Sequence, residues 1–119
     1  MATRVKRTSR SFATWWKNMR RRKRISAVAY LKSTAEIPKG KIGGKLFIVR
    51  RAGLPRWAVL DCPCRCGRRI QVNLMRSHRP RWILKEEGSH VSLTPSLWQP
   101  ELTCGSHFFI TRNRIEWID

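Results

Sequence analysis

Four cysteines and one histidine fall into two tight clusters, Cys62-Pro63-Cys64-Arg65-Cys66-Gly67 and, far downstream, Cys104-Gly105-Ser106-His107. Thiolates and imidazole carried on two short turns are what a closed tetrahedral zinc site is built from. Cys62, Cys64, Cys66, Cys104 and His107 are therefore the candidate metal ligands, with Zn2+ the expected cofactor. Five candidates for four places leave one spare. Cys-x-Cys-x-Cys departs from the commoner Cys-x-x-Cys knuckle, whereas the downstream Cys-x-x-His is a good ligand pair.

Two other uses of these residues compete. Disulfides would need an oxidising compartment, but the chain opens without an apolar signal segment, and alternate cysteines in an extended stretch point the same way. The expected compartment is cytoplasmic. A thiolate activated by His107 would be the enzymatic use. Only seven acids are present, with no Ser/His/Asp arrangement and no phosphate-cradling glycine loop, so the expectation is a structural metal in a protein that is not an enzyme.

Charge is strongly polarised along the chain. Residues 1–51 hold sixteen Lys and Arg against the single acid Glu36, a balance of +15, and the remainder holds ten against six, a balance of +4. Such an excess calls for a polyanionic partner, and nucleic acid, DNA or RNA, is the default. Arg10, Lys17, Arg20, Arg21, Arg22, Lys23, Arg24, Lys39, Lys41 and Lys45 are the candidate phosphate contacts. No apolar run of transmembrane length occurs.

The elements that must position these residues differ between the two parts of the chain. Phe12, Trp15, Trp16 and Met19 recur at helical spacing, and Ile25, Val28 and Leu31 extend the stripe, which predicts a basic helical arm over residues 11–31. Lys39-Gly40-Lys41-Ile42-Gly43-Gly44-Lys45 reads as a connecting loop. Beyond it come short β-branched and aromatic runs: Leu46 to Val49, Trp57 to Leu60, Ile70 to Leu74, Trp82 to Leu84, His90 to Leu93, Phe108 to Ile110 and Ile115 to Ile118. Thr111-Arg112-Asn113-Arg114 is the turn joining the last two. The predicted fold is mainly β: a basic helical arm and linker over residues 1–43, then a small zinc-stabilised antiparallel β domain over residues 44–119. A metal tying residue 64 to residue 104 would offset much of the chain entropy of so small a core.

The C-terminal two thirds resembles a family of small bacterial proteins, carried as a domain of unknown function and often encoded beside bacterial ubiquitin-like conjugation genes. The matching residues are the triple-cysteine turn, Pro80-Arg81-Trp82, the run from His90 to Leu97, and Cys104 to Ile110 leading to Trp117. The resemblance spans roughly residues 46 to 118. It implies that the cysteines and His107 are zinc ligands and that Ser92, Pro95 and Ser96 mark a turn beside the site. The family usually has Gly where this chain has Arg65, and the resemblance does not account for the basic N-terminal segment.

Two functions follow as expectations. One is a zinc-containing, nucleic-acid-binding accessory protein of a larger protein and nucleic acid assembly, its arm contacting phosphates with little sequence specificity. The alternative is a protein-interaction adaptor in a bacterial ubiquitin-like conjugation or defence system, with Phe12, Trp15, Trp16 and Met19 as interface anchors. A hydrolase built on zinc would need an open coordination position and a nearby carboxylate, and Asp61 is the only acid close in sequence to the first cluster.

Overall fold

Alternating burial along the strands sorts the chain into two four-stranded sheets. The structure, a computed structural model, describes residues 19–118. Strands β1 (Ala27–Leu31), β2 (Lys45–Arg51), β3 (Leu54–Asp61) and β4 (Arg69–Asn73) form one sheet in that order, and β5 (Ile83–Glu87), β6 (His90–Trp98), β7 (His107–Thr111) and β8 (Arg114–Trp117) form the other. The inward residues of both sheets share one core: Leu46, Ile48 and Leu60 from the first meet Leu93, Leu97 and Phe108 from the second. Leu46, Ile48, Leu93 and Phe108 are fully buried, each worth about 1.5–3 kcal/mol of transfer free energy. A smaller cluster of Ile42, Phe47 and Val59 covers the other face of the first sheet, which is why β2 reads as an unbroken apolar run rather than an alternation.

Every neighbouring pair is antiparallel except β1 with β2, which run parallel in register Ala27↔Lys45 to Leu31↔Val49. A parallel pair needs a long crossover, and residues 32–44 supply it, including a short 3-10 turn at Thr34–Glu36. The β7–β8 hairpin turns on Arg112 and Asn113, both at positive φ (48° and 67°), the geometry of a tight two-residue hairpin turn. Asn113 suits it: besides tolerating the left-handed region, its side chain accepts from Val91 N–H (2.8 Å) and donates to Ser89 O (3.3 Å).

The predicted helix over residues 11–31 is corrected beyond Arg20: Met19 and Arg20 are helical, but the chain leaves the helix at Arg21. Residues 27–31 are strand β1, and Arg22 to Ile25 run extended, stitched to the β domain by backbone hydrogen bonds: Arg22 N–H to Pro63 O (2.8 Å), Ile115 N–H to Lys23 O (2.9 Å), Ile25 N–H to Asn113 O (2.6 Å). The three-residue spacing of Ile25, Val28 and Leu31 imitated a helical stripe. Pairing with β2 satisfies the inward-facing backbone groups of this edge strand, and an isolated, highly charged helix is marginal in water. Phe12, Trp15, Trp16, Arg10 and Lys17 lie outside the described residues. Ser92, Pro95 and Ser96, expected to mark a turn, belong instead to strand β6.

Candidate metal centre and serine–histidine pair

The first cysteine turn follows β3 directly. Arg65 N–H bonds back to Cys62 O (3.0 Å), Cys62 N–H to Arg68 O (2.8 Å), and the chain reverses through positive φ at Arg65 (68°) and Gly67 (89°). The second lies in the loop between β6 and β7. There Thr103 and Gly105 N–H both donate to Pro100 O (2.9 and 3.1 Å), and Gly105 at φ 63° swings the chain into β7. The fold thereby brings four thiols together. All four Sγ atoms of Cys62, Cys64, Cys66 and Cys104 lie within 4.8 Å of one another, and the four cysteines are free.

The donor set can be tested against a tetrahedral thiolate metal, whose bonds of about 2.3 Å imply sulfur–sulfur edges of about 3.8 Å. Cys62 Sγ stands 3.4 Å from Cys64 Sγ and 3.7 Å from Cys104 Sγ. The cluster could hold such an ion. Its electrostatics agree: burial pushes the Cys62 thiol well above the ordinary range, and burial raises Cys66 as well. Burial opposes ionisation of Cys104 too, but hydrogen bonds from the Ser106 hydroxyl and amide, and from the Cys66 and Cys62 thiols, outweigh it and bring that thiol down to about 6. Ser106 is buried beside the cluster.

His107 stands outside that cluster. Its Nε2 lies 2.7 Å from Ser96 Oγ, both residues being half-buried. They sit on adjacent strands, β6 and β7, which pair as Leu93↔Ile110, then Leu97↔Phe108 and Trp98↔His107. The register slips between Leu93 and Leu97, leaving Thr94, Pro95 and Ser96 opposite a single residue of β7. Such a bulge re-aims a side chain, and here it sends the Ser96 hydroxyl to the imidazole. Trp82 holds the other side of Ser96, its indole Nε1–H donating to Ser96 O at 3.3 Å. His107 is fixed as well: its carbonyl accepts from Ile118 N–H (2.8 Å).

A second serine–histidine contact, Ser77 Oγ to His78 Nδ1 at 2.8 Å, joins sequence neighbours in an exposed loop. Asn73, at the end of β4, ties that loop through His78 O (3.1 Å).

A family model described as "Bacterial ubiquitination-like system serine protease (BubE)" matches residues 33–118. The chain belongs to the BubE family. The BubE match takes in both cysteine turns, Ser96, His107 and every strand from β2 to β8. No curated protein and no solved structure matches the chain.

The basic residues are dispersed rather than gathered on one helical face. Arg21 stacks its guanidinium 4.3 Å over the Trp117 ring, whose Nε1–H donates to Arg22 O (3.0 Å). Arg20, Arg22, Lys41 and Arg65 border a small cavity above Cys62, and Lys45 opens β2 exposed to solvent. Lys39 lies in the loop that Arg69 secures through Pro38 O (2.9 Å) and Gly40 O (2.7 Å). Among the described residues, no helix is long and apolar enough to cross a membrane.

Sequence reasoning missed Ser96. Counting His107 as a ligand drew attention away from its contact with Ser96, and eleven residues separate the pair without any recognised spacing. The one available signal was arithmetic: four cysteines complete a tetrahedron unaided, which releases the histidine.

Proposed function

We propose that this chain hydrolyses peptide bonds in a bacterial ubiquitination-like system, with Ser96 as nucleophile and His107 as general base, on a scaffold tied together by Zn2+ at Cys62, Cys64, Cys66 and Cys104. The observation that carries the reading is the 2.7 Å contact between Ser96 Oγ and His107 Nε2 in a chain of the BubE family. Protein partners of that system are its substrates.

A serine hydroxyl is a weak nucleophile until a base within hydrogen-bond reach can take its proton. His107 Nε2 offers that base. Ser96 Oγ attacks the scissile carbonyl as its proton passes to Nε2, and the imidazolium returns the proton to the departing amine. Water then enters as the second nucleophile, is deprotonated by Nε2, and displaces the acyl group from Ser96 as the imidazolium returns that proton to Ser96 Oγ. Ser96 and His107 form the dyad of this reading, and among the described residues no carboxylate hydrogen-bonds to His107. A dyad forgoes the orienting contribution of a third member, so the rigid sheet must orient the ring.

Zinc in this reading is structural. Cys62, Cys64, Cys66 and Cys104 would hold it, and four thiolates would leave no coordination position for water. Its effect on catalysis is indirect: Cys104 lies three residues before His107, so fixing Cys104 fixes where β7 begins.

Acylation by p-nitrophenyl acetate, together with cleavage of an acidic peptide anilide, tests the reading. Ser96→Ala and His107→Gln should each lower kcat/KM by about 10³-fold or more while retaining metal. Unchanged rates in both variants would overturn it.

A further inference from the structure

The backbone next to Ser96 is an open strand edge, and its hydrogen-bond parity can be worked out. Gln99 N–H donates to Ser106 O (2.8 Å), so hydrogen-bonded pairs of the β6–β7 ladder fall there and, two residues back, at Leu97 and Phe108. Ser96 and Trp98 are then the alternate residues, whose N–H and C=O groups point away from β7. Two contacts confirm the parity. Ser96 O, on that far side, accepts from Trp82 Nε1, and on the partner strand His107 O, likewise turned away from β6, accepts from Ile118 N–H.

The far side of β6 belongs to β5, but β5 ends at Ile83, paired with Thr94. Among the described residues no strand continues along β6 past Thr94, and nothing pairs with the N–H and C=O of Trp98 or the N–H of Ser96. An unpaired edge of this kind is a template for an incoming strand. It lies within two residues of the nucleophile.

Side chains around the edge indicate what the strand carries. Trp98 is 62 % exposed and Ile83 53 %, far more than such large apolar side chains need to be, and both flank the opening. Ile83 and Trp82 also form one wall of a groove of about 520 Å³, bordered by Leu54 and Met75 and by the cations Arg56, Arg76 and Arg81. No acid lines that groove.

We propose that the β6 edge at Ser96 to Trp98 binds an extended acidic peptide by strand addition, Trp98 N–H and C=O pairing with its backbone and its acidic side chains meeting Arg56, Arg76 and Arg81. The proposal rests on the protease reading for its purpose, since strand addition holds the backbone of a substrate taut beside Ser96. It names the substrate class: an exposed, unstructured acidic segment of a protein rather than a folded surface or a basic tail.

The test uses the full chain carrying Ser96→Ala, labelled with ¹⁵N, and two equimolar octapeptide libraries at millimolar total concentration, one of Glu, Leu, Val and Gly and one of Lys, Leu, Val and Gly. The acidic library should shift the Trp98 amide and slow its hydrogen exchange at least about tenfold, and N-methylation of every amide in the library should abolish both effects. Absence of any effect at Trp98, equal protection by the basic library, or indifference to N-methylation each overturns the proposal. Labelling of wild-type Ser96 by a fluorophosphonate separates the two claims. Labelling without Trp98 protection leaves the dyad standing and the edge site refuted, and protection without labelling does the reverse.

Discussion

Ser96 reaches His107 from a residue that takes no part in the β6–β7 ladder: its hydroxyl lies 2.7 Å from Nε2 because three residues of β6 bulge opposite one of β7. The partners are held from opposite directions. Trp82 pins the Ser96 carbonyl, while the loop bearing Cys104 determines where His107 enters the sheet. Cys104 and the Ser96–His107 contact thus lie at the same, loop end of the β6–β7 hairpin.

Removing the indole donor should loosen Ser96 without unfolding the protein. Trp82→Phe keeps an aromatic body and loses the bond to Ser96 O, worth about 1 kcal/mol. The expected result is a roughly fivefold fall in kcat for p-nitrophenyl acetate, with metal content unchanged. A rate equal to wild type would show that Trp82 does not position the nucleophile.

The two serine–histidine contacts make opposite predictions. Ser77→Ala should leave esterase activity within about twofold of wild type, because Ser77 and His78 are neighbours in an exposed loop, whereas Ser96→Ala should abolish it. If Ser77→Ala is the inactive variant, the site lies in the groove beside Trp82 instead.

Metal binding should release protons in a number set by the thiols. In the metal-free protein Cys62 and Cys66 are raised above the ordinary value and stay protonated at pH 7, while Cys104, lowered to about 6, is already ionised. Zinc must displace the protons of Cys62 and Cys66. Isothermal titration of one equivalent of Zn2+ at pH 7, in buffers of different ionisation enthalpy, should therefore show release of at least those protons and little from Cys104. The lowered Cys104 stabilises the metal-free fold above the ordinary thiol range, a contribution lost as pH falls through about 6, and protons compete with metal for all four thiols, so metal should dissociate on acidification. Metal retained after acidification well below that value, or binding without proton release, contradicts the thiolate site.

Arg65 occupies a backbone conformation that suits glycine. At φ 68° its Cβ costs about 1 kcal/mol, part of which Gly returns through a more mobile unfolded chain. Arg65→Gly should leave stability unchanged or raise it by up to about 1 kcal/mol, read as a shift in chemical denaturation midpoint. A loss exceeding 1 kcal/mol would mean the side chain contributes a contact that outweighs its strain.

Much of the β architecture was legible because burial on one face leaves a period-two record, as in Val91, Leu93 and Leu97 of β6 or Ile70 and Val72 of β4. The cysteine cluster was legible because metal chemistry restricts residue types and local spacing. Strand β1 was not, since its partner β2 is parallel and separated by a crossover, and nothing within Ala27–Leu31 announces pairing with Lys45 to Val49. The dyad was hidden for a different reason. A bulge changes which residue faces which across two strands; Pro95, with no N–H for the ladder, signals an interruption, but neither Thr94 nor Ser96 shows which residue then meets His107.

The most direct test of the central claim is covalent labelling of the wild-type chain with a fluorophosphonate, followed by peptide mass spectrometry. The dyad predicts a single stoichiometric adduct on Ser96, lost in His107→Gln although Ser96 is still present. An adduct on another serine, or none on folded, metal-loaded protein, would contradict it.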